Sequence, residues 1–161
     1  MPMTTRSAIF HDMGFDIREE RLPEQVVYSL LRTADLLTHS LTAVYRTVGL
    51  TPASFNLLML LKHGAEAQSL TQQALGQHLV ASAANMTELI DRLEAKGWIR
   101  RVPGKDRRSK LLTITPKGAT LLDAVWEDHV SAVERLAQGL SREDARTLVR
   151  LTAQVRQAPA S

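Results

Sequence analysis

The chain has 161 residues, 44% hydrophobic and 23% charged, with a formal net charge of +3; this suits one domain or two small lobes and excludes wholesale disorder. It has no cysteine, which excludes disulfides, thiolate-bound zinc and thiol redox sensing. No apolar run approaches the roughly 20 residues of a membrane span, and the N-terminus mixes acids with bases and lacks a signal-peptide core, so a cytoplasmic protein is expected.

Aromatics make up only 4%, so Leu, Val, Ile and Ala must do most of the packing, a balance that favours helix. Residues 1–22 show no period and read as an N-terminal arm. From Pro23 a long helix is predicted, with Val27, Leu30, Leu31, Ala34, Leu37, Leu41, Val44, Tyr45 and Val48 at three- and four-residue steps, ending at Gly49. Thr51-Pro52 supplies an N-cap and first-turn proline for a second helix, with Phe55, Leu58, Met59 and Leu61 on its buried side. Two short helical patterns follow, Thr71 to Leu79 and Ser82 to Lys96, the second stopped by Gly97. Residues 98–102 and 110–114 carry the alternation of strands around the polar turn 103–109, which reads as a β-hairpin with a charged tip. Thr115-Pro116 repeats the cap signal and opens a long helix along Leu121, Leu122, Val125, Trp126, His129, Val130, Val133, Leu136 and Leu140. Ser141, with Glu143 and Asp144 behind it, caps a last helix carrying Ala145, Leu148, Val149, Thr152 and Val155.

The charge is unevenly spread. Between Arg100 and Lys117 there are seven bases and a single acid, Asp106, so the remainder of the chain is net negative. A mildly acidic body with one basic segment suits a polyanion such as DNA. The two short helices form a candidate helix-turn-helix, whose second helix would enter a major groove. Ser82 caps that helix, and its first turns hold Ala83, Ala84, Asn85 and Thr87, while Leu89, Ile90 and Leu93 face the core. Asn85 can bond adenine, Ala84 or Thr87 can touch a thymine methyl, and Glu88 can accept from cytosine. An ordinary amphipathic helix with a solvated face, followed by a solvated charged turn, is the competing reading; the hairpin's place directly after the helix pair favours DNA, because its tip can reach the minor groove.

Residues 70–118 resemble the DNA-binding lobe of the multiple antibiotic resistance regulator (MarR) family. The resemblance rests on residues 91–97 (DRLEAKG), Asp106-Arg107-Arg108-Ser109 and residues 112–118 (LTITPKG), supported by Gly49-Leu50-Thr51-Pro52 and Phe55. It implies a mainly α fold with a small β-hairpin wing: a winged helix-turn-helix lobe over 51–115, and a helical dimerisation lobe from 23–48 and 116–157. It further implies a homodimer on a pseudo-palindromic operator, acting as a repressor released by a small, aromatic or phenolic ligand. Arg108 matches the arginine placed in the minor groove and Asp106 the acid that braces the wing, with Lys105 and Arg107 on phosphates. The candidate DNA-binding set is Ser82, Ala84, Asn85, Thr87, Glu88, Arg92, Arg101, Lys105, Asp106, Arg107 and Arg108. Glu88 departs from the base that many members carry; phosphates repel a carboxylate there unless it reads cytosine or pairs with Arg92.

Ligand-site candidates are His39, Phe55 and Asn56. The five histidines lack metal-type spacing, so neither metal nor cofactor is expected. Trp98 and Trp126 read as core or dimer packing. No phosphate loop, nucleophile elbow or metal cluster supports an enzyme; the competing function is a winged-helix module that binds a protein instead of DNA.

Overall fold

The computed structural model describes residues 21–64, 70–79, 82–104 and 110–157. Most of the N-terminal arm and the hairpin residues Lys105, Asp106, Arg107 and Arg108 lie outside the described residues. The described elements are helices α1 (Leu22–Arg46), α2 (Pro52–His63), α3 (Gln72–Leu79) and α4 (Ala83–Ala95), strands β1 (Ile99–Pro103) and β2 (Lys110–Ile114), and helices α5 (Pro116–Ala124), α6 (Trp126–Ala137) and α7 (Arg142–Gln157). None of these helices is long and apolar enough to cross a membrane. The chain divides into two compact units at the Ser40–Leu41 boundary, inside α1.

In the first unit, α1 carries Glu24 in its first turn, matched to the helix dipole. Leu22, Val26, Val27, Leu31, Leu36 and Leu37 are exposed along it.

The second unit has one hydrophobic core, and α2 runs through its middle. Thr51 Oγ1 accepts the Ser54 N–H at 3.2 Å and Pro52 stands in the first turn, an arrangement worth about 1 kcal/mol to the helix start. Phe55, Leu57, Leu58 and Leu61 are buried, and Met59 is only half-buried. The full burial of Leu57 departs from the single stripe expected. Its cause is that α2 meets α3, α4, β2 and α5, so its buried arc is wider than one amphipathic face.

β1 and β2 pair antiparallel, Ile99 opposite Ile114 and Arg101 opposite Leu112. A short third piece joins them: Thr71 bridges to Leu111, and the Leu112 N–H donates to Leu70 O at 2.9 Å. The helix expected from Thr71 therefore begins at Gln72, with Thr71 Oγ1 accepting the Ala74 N–H.

Two glycines fix how α4 feeds the sheet. Gly97 has φ of +71°, the left-handed geometry that closes a helix, and the Trp98 N–H reaches back to Leu93 O at 3.0 Å. At Gly118 a side chain has no room, since a Cβ there would lie 2.1 Å from Trp98 O. The start of α5 is thereby pressed against the root of β1.

One long helix was expected from residue 116 to about 140. The structure breaks it at Val125, whose backbone (φ −101°, ψ −2°) leaves the helical ladder and whose N–H turns to Leu122 O. Leu122 and Val125 are buried in the core, whereas Val133, Leu136 and Leu140 beyond the break are about 40% exposed. The break thus separates a core-facing turn from a stripe left uncovered.

Candidate nucleic-acid interface

The candidate reading head is α4. Ser82 Oγ accepts the Asn85 N–H at 3.3 Å, which starts the helix at the surface. Met86, Leu89, Ile90 and Leu93 are buried at helical spacing and dock α4 on the core. That docking turns Ala84, Asn85, Thr87, Glu88 and Arg92 outward, and all five are exposed.

Local partners decide what each can offer. Thr87 Oγ1 donates to Ala83 O at 2.9 Å and accepts from Gln72 Nε2 at 2.6 Å. Its only hydroxyl proton is spent, so towards a base edge it offers its γ-methyl and a remaining acceptor lone pair but no donor. Gln72, at the start of α3, was not anticipated. Glu88 lies 3.7 Å from Arg92, one helical turn on, with side chains 79% and 45% exposed. An ion pair this open contributes only tenths of a kcal/mol, yet it supplies the partner that a carboxylate on this face requires.

Arg101, expected as a DNA contact, faces two acids of the recognition helix. Its guanidinium bonds Glu94 and, at 2.5 Å, Asp91, both on α4, and its own N–H donates to Glu94 Oε1 at 3.0 Å. The hydrogen bond that Arg101 donates to Asp91 leads in pushing its pKa above the ordinary arginine value, against an opposing effect of burial. The neighbouring Arg100 is exposed and donates to Thr113 across the sheet. Lys96 stacks over the Trp98 ring at 4.4 Å, and Lys117 Nζ donates to Lys96 O. The basic residues at the base of the hairpin are thus fastened to it. Lys105, Asp106, Arg107 and Arg108 belong to the connection between β1 and β2, outside the described residues.

The ligand-site candidates separate. Phe55 is 2% exposed, its ring stacked on Tyr45 at 4.3 Å and set against His129 at 4.6 Å. Asn56 is exposed on α2, and His39 is exposed in the first unit. The group that does gather around Phe55 is Tyr45, His129 and Trp126. Tyr45 and His129 share a 3.0 Å hydrogen bond, and Trp126 lies 5.4 Å from His129. Burial pushes the His129 pKa down and the Tyr45 pKa up. All three sat on predicted apolar stripes, but stripes do not say which residues from distant helices meet. Trp98 is buried, as a core reading requires, while Trp126 is 40% exposed. Among the described residues no group of His, Asp or Glu could hold a metal ion.

Known proteins share this arrangement. The family model of the MarR family matches residues 48–109, from the approach to α2 through α3, α4 and β1 to the hairpin connection. The HTH-type transcriptional regulator PecS of Dickeya dadantii is 28% identical over 123 residues, 76% of this chain and 74% of that protein. The transcriptional activatory protein BadR of Rhodopseudomonas palustris is 30% identical over 131 residues, covering 81% and 74%. Among solved structures, a MarR family transcriptional regulator from Streptomyces coelicolor in complex with DNA superposes with a TM-score of 0.79 at 23% identity, covering 91% of this chain and 95% of that one. The transcriptional repressor CouR, bound to a 23-mer DNA duplex, gives 0.74 at 26% identity, covering 89% and 100%. With a capped, outward-facing second helix, a hairpin directly behind it and these relatives, the chain belongs to the MarR family of DNA-binding winged-helix transcription regulators.

Proposed function

We propose that the chain is a homodimeric repressor that lays the exposed N-terminal face of α4 in the major groove and its hairpin tip in the adjacent minor groove. The observation that carries this reading is the face made by Ala84, Asn85 and Thr87, exposed behind the Ser82 cap. Asn85 reads adenine, and the methyl groups of Ala84 and Thr87 meet thymine. Arg108 enters the minor groove, where narrowness concentrates negative potential, while Lys105 and Arg107 meet phosphates. In the dimer, residues 23–48 and 116–157 pack against the same segments of a second copy, which sets the two α4 helices about one DNA turn apart. A small effector that favours another spacing releases the DNA. The family resemblance supports an aromatic or phenolic one, acting in the cytoplasm.

A protein-binding module is favoured by the acidic body and by the acids of α4, and Arg92 and Arg101 already face the latter. The deciding experiment is a fluorescence-anisotropy titration of duplexes selected from random sequence and of DNA from upstream of the chain's own gene. Wild type is compared with Arg107→Ala/Arg108→Ala at two salt concentrations. The expected result is tight, salt-sensitive binding to a selected duplex, a loss of about tenfold or more in the double variant, and a shallower salt slope. If selection recovers no duplex, the DNA reading is overturned in favour of a protein partner.

A further inference from the structure

The recognition helix carries Glu88, Asp91 and Glu94 at steps of three, on or beside the face proposed to meet DNA. Three carboxylates facing a polyanion would oppose binding, so what neutralises them matters as much as what contacts a base. Among the described residues Glu88 pairs only with Arg92, in a long and open pair. Asp91 and Glu94 share Arg101, whose side chain is 26% exposed. The planar fork of a guanidinium can serve two carboxylates at once, where a lysine ammonium is a point charge. Glu94 is held a second time, because its Oε1 accepts the Arg101 backbone N–H. Arg101 also lies in β1 opposite Leu112 of β2, and Leu112 is buried. The residue that offsets the charge of Asp91 and Glu94 is therefore built into the root of the wing.

We propose that Arg101 is a positioning residue for DNA binding, which offsets part of the negative charge of Asp91 and Glu94 and holds the root of the wing beside the recognition helix, and makes no phosphate contact of its own. This rests on the DNA-binding reading above and revises the direct contact expected for Arg101 from the sequence. With Arg101 in place the three side chains sum to one negative charge, and without it the two acids present two.

A double-mutant cycle on the full chain separates positioning from contact. Binding to the selected duplex is measured for wild type, Arg101→Ala, Asp91→Asn/Glu94→Gln and the triple variant, with circular dichroism melts confirming folding. Arg101→Ala should weaken binding about tenfold or more. Asp91→Asn/Glu94→Gln should change wild-type affinity by less than about threefold, yet restore about fivefold or more in the Arg101→Ala background. Arg101→Lys, which keeps the charge but not the fork, should fall between wild type and Arg101→Ala; it replaces Arg101→Ala in the cycle if the alanine variant does not fold. An equal gain from removing the acids in both backgrounds overturns the proposal, as does an Arg101→Ala variant that binds like wild type. Wild type that binds no duplex would instead bring down the DNA reading, and this inference with it.

Discussion

At the scale of single residues, the most consequential group away from α4 is His129. Its ring touches Tyr45, Phe55 and Trp126, and burial lowers its pKa below the ordinary histidine value. The folded protein therefore resists a proton that the unfolded chain accepts near pH 6.5. Stability from the neutral ring is fully present above that pH and is lost as the pH falls through it towards the lower folded pKa. The unfolding midpoint of wild type should accordingly fall between pH 7 and pH 5 by more than that of His129→Gln, measured by thermal melts in matched buffers. Parallel curves for the two proteins would show that His129 titrates without linkage to folding. Neither the contacts nor the pKa could be read from the sequence. His129 lies 84 positions from Tyr45, and only the fold brings them together.

At the scale of elements, the joint between α4, β1 and α5 is the part on which the proposed reading head depends. Gly97 turns the chain out of α4 at a φ that costs an L-residue roughly 1–2 kcal/mol. Gly97→Ala should lower the melting midpoint by about 2–8 °C, since 1 kcal/mol corresponds to roughly 2–4 °C at this size. Gly118→Ala should cost more, because its Cβ would meet the Trp98 carbonyl, a backbone atom that cannot swing aside. A Gly118→Ala melt equal to wild type would show that α5 is not held against β1 this closely. These joints were legible because caps and stops are local: Thr51-Pro52, Ser82, Gly97 and Thr115-Pro116 each mark a boundary close to where the structure has it. What depends on distant partners was not legible. The break at Val125 has no proline or glycine to announce it, and the Leu70–Thr71 strand piece is too short for a period. Arg101 shows the same limit at the candidate site. As a letter in a basic run it reads as a DNA contact, and its commitment to Asp91 and Glu94 follows only once β1 lies beside α4.

At the scale of the whole molecule, the second unit leaves more apolar surface uncovered than a lone chain accounts for. α7 is a 16-residue helix with no buried residue, and Leu148, Val149, Leu151 and Val155 are 43–66% exposed along it. A helix of this length is marginal in water by itself, and its stability comes from burying an apolar face. α6 adds Val133 and Leu136, with Leu140 just beyond its end, each near 40% exposed. Exposed apolar stripes are expected at an interface, and in the proposed dimer a second copy of the same chain supplies the matching stripes. Leu148→Glu would place a carboxylate without a partner in that face. The variant should be monomeric by light scattering at micromolar concentration, where wild type should be a dimer. Its affinity for a two-half-site duplex should fall about 10²-fold or more, because the second half-site is no longer bound at high effective concentration. Its affinity for a single half-site should stay within a few-fold of wild type, since α4 and its cap are untouched. That contrast separates loss of pairing from loss of fold. Equal losses on both duplexes would mean that the substitution damages the DNA-binding unit itself, and a wild type that is monomeric under these conditions would overturn the two-fold arrangement on the operator.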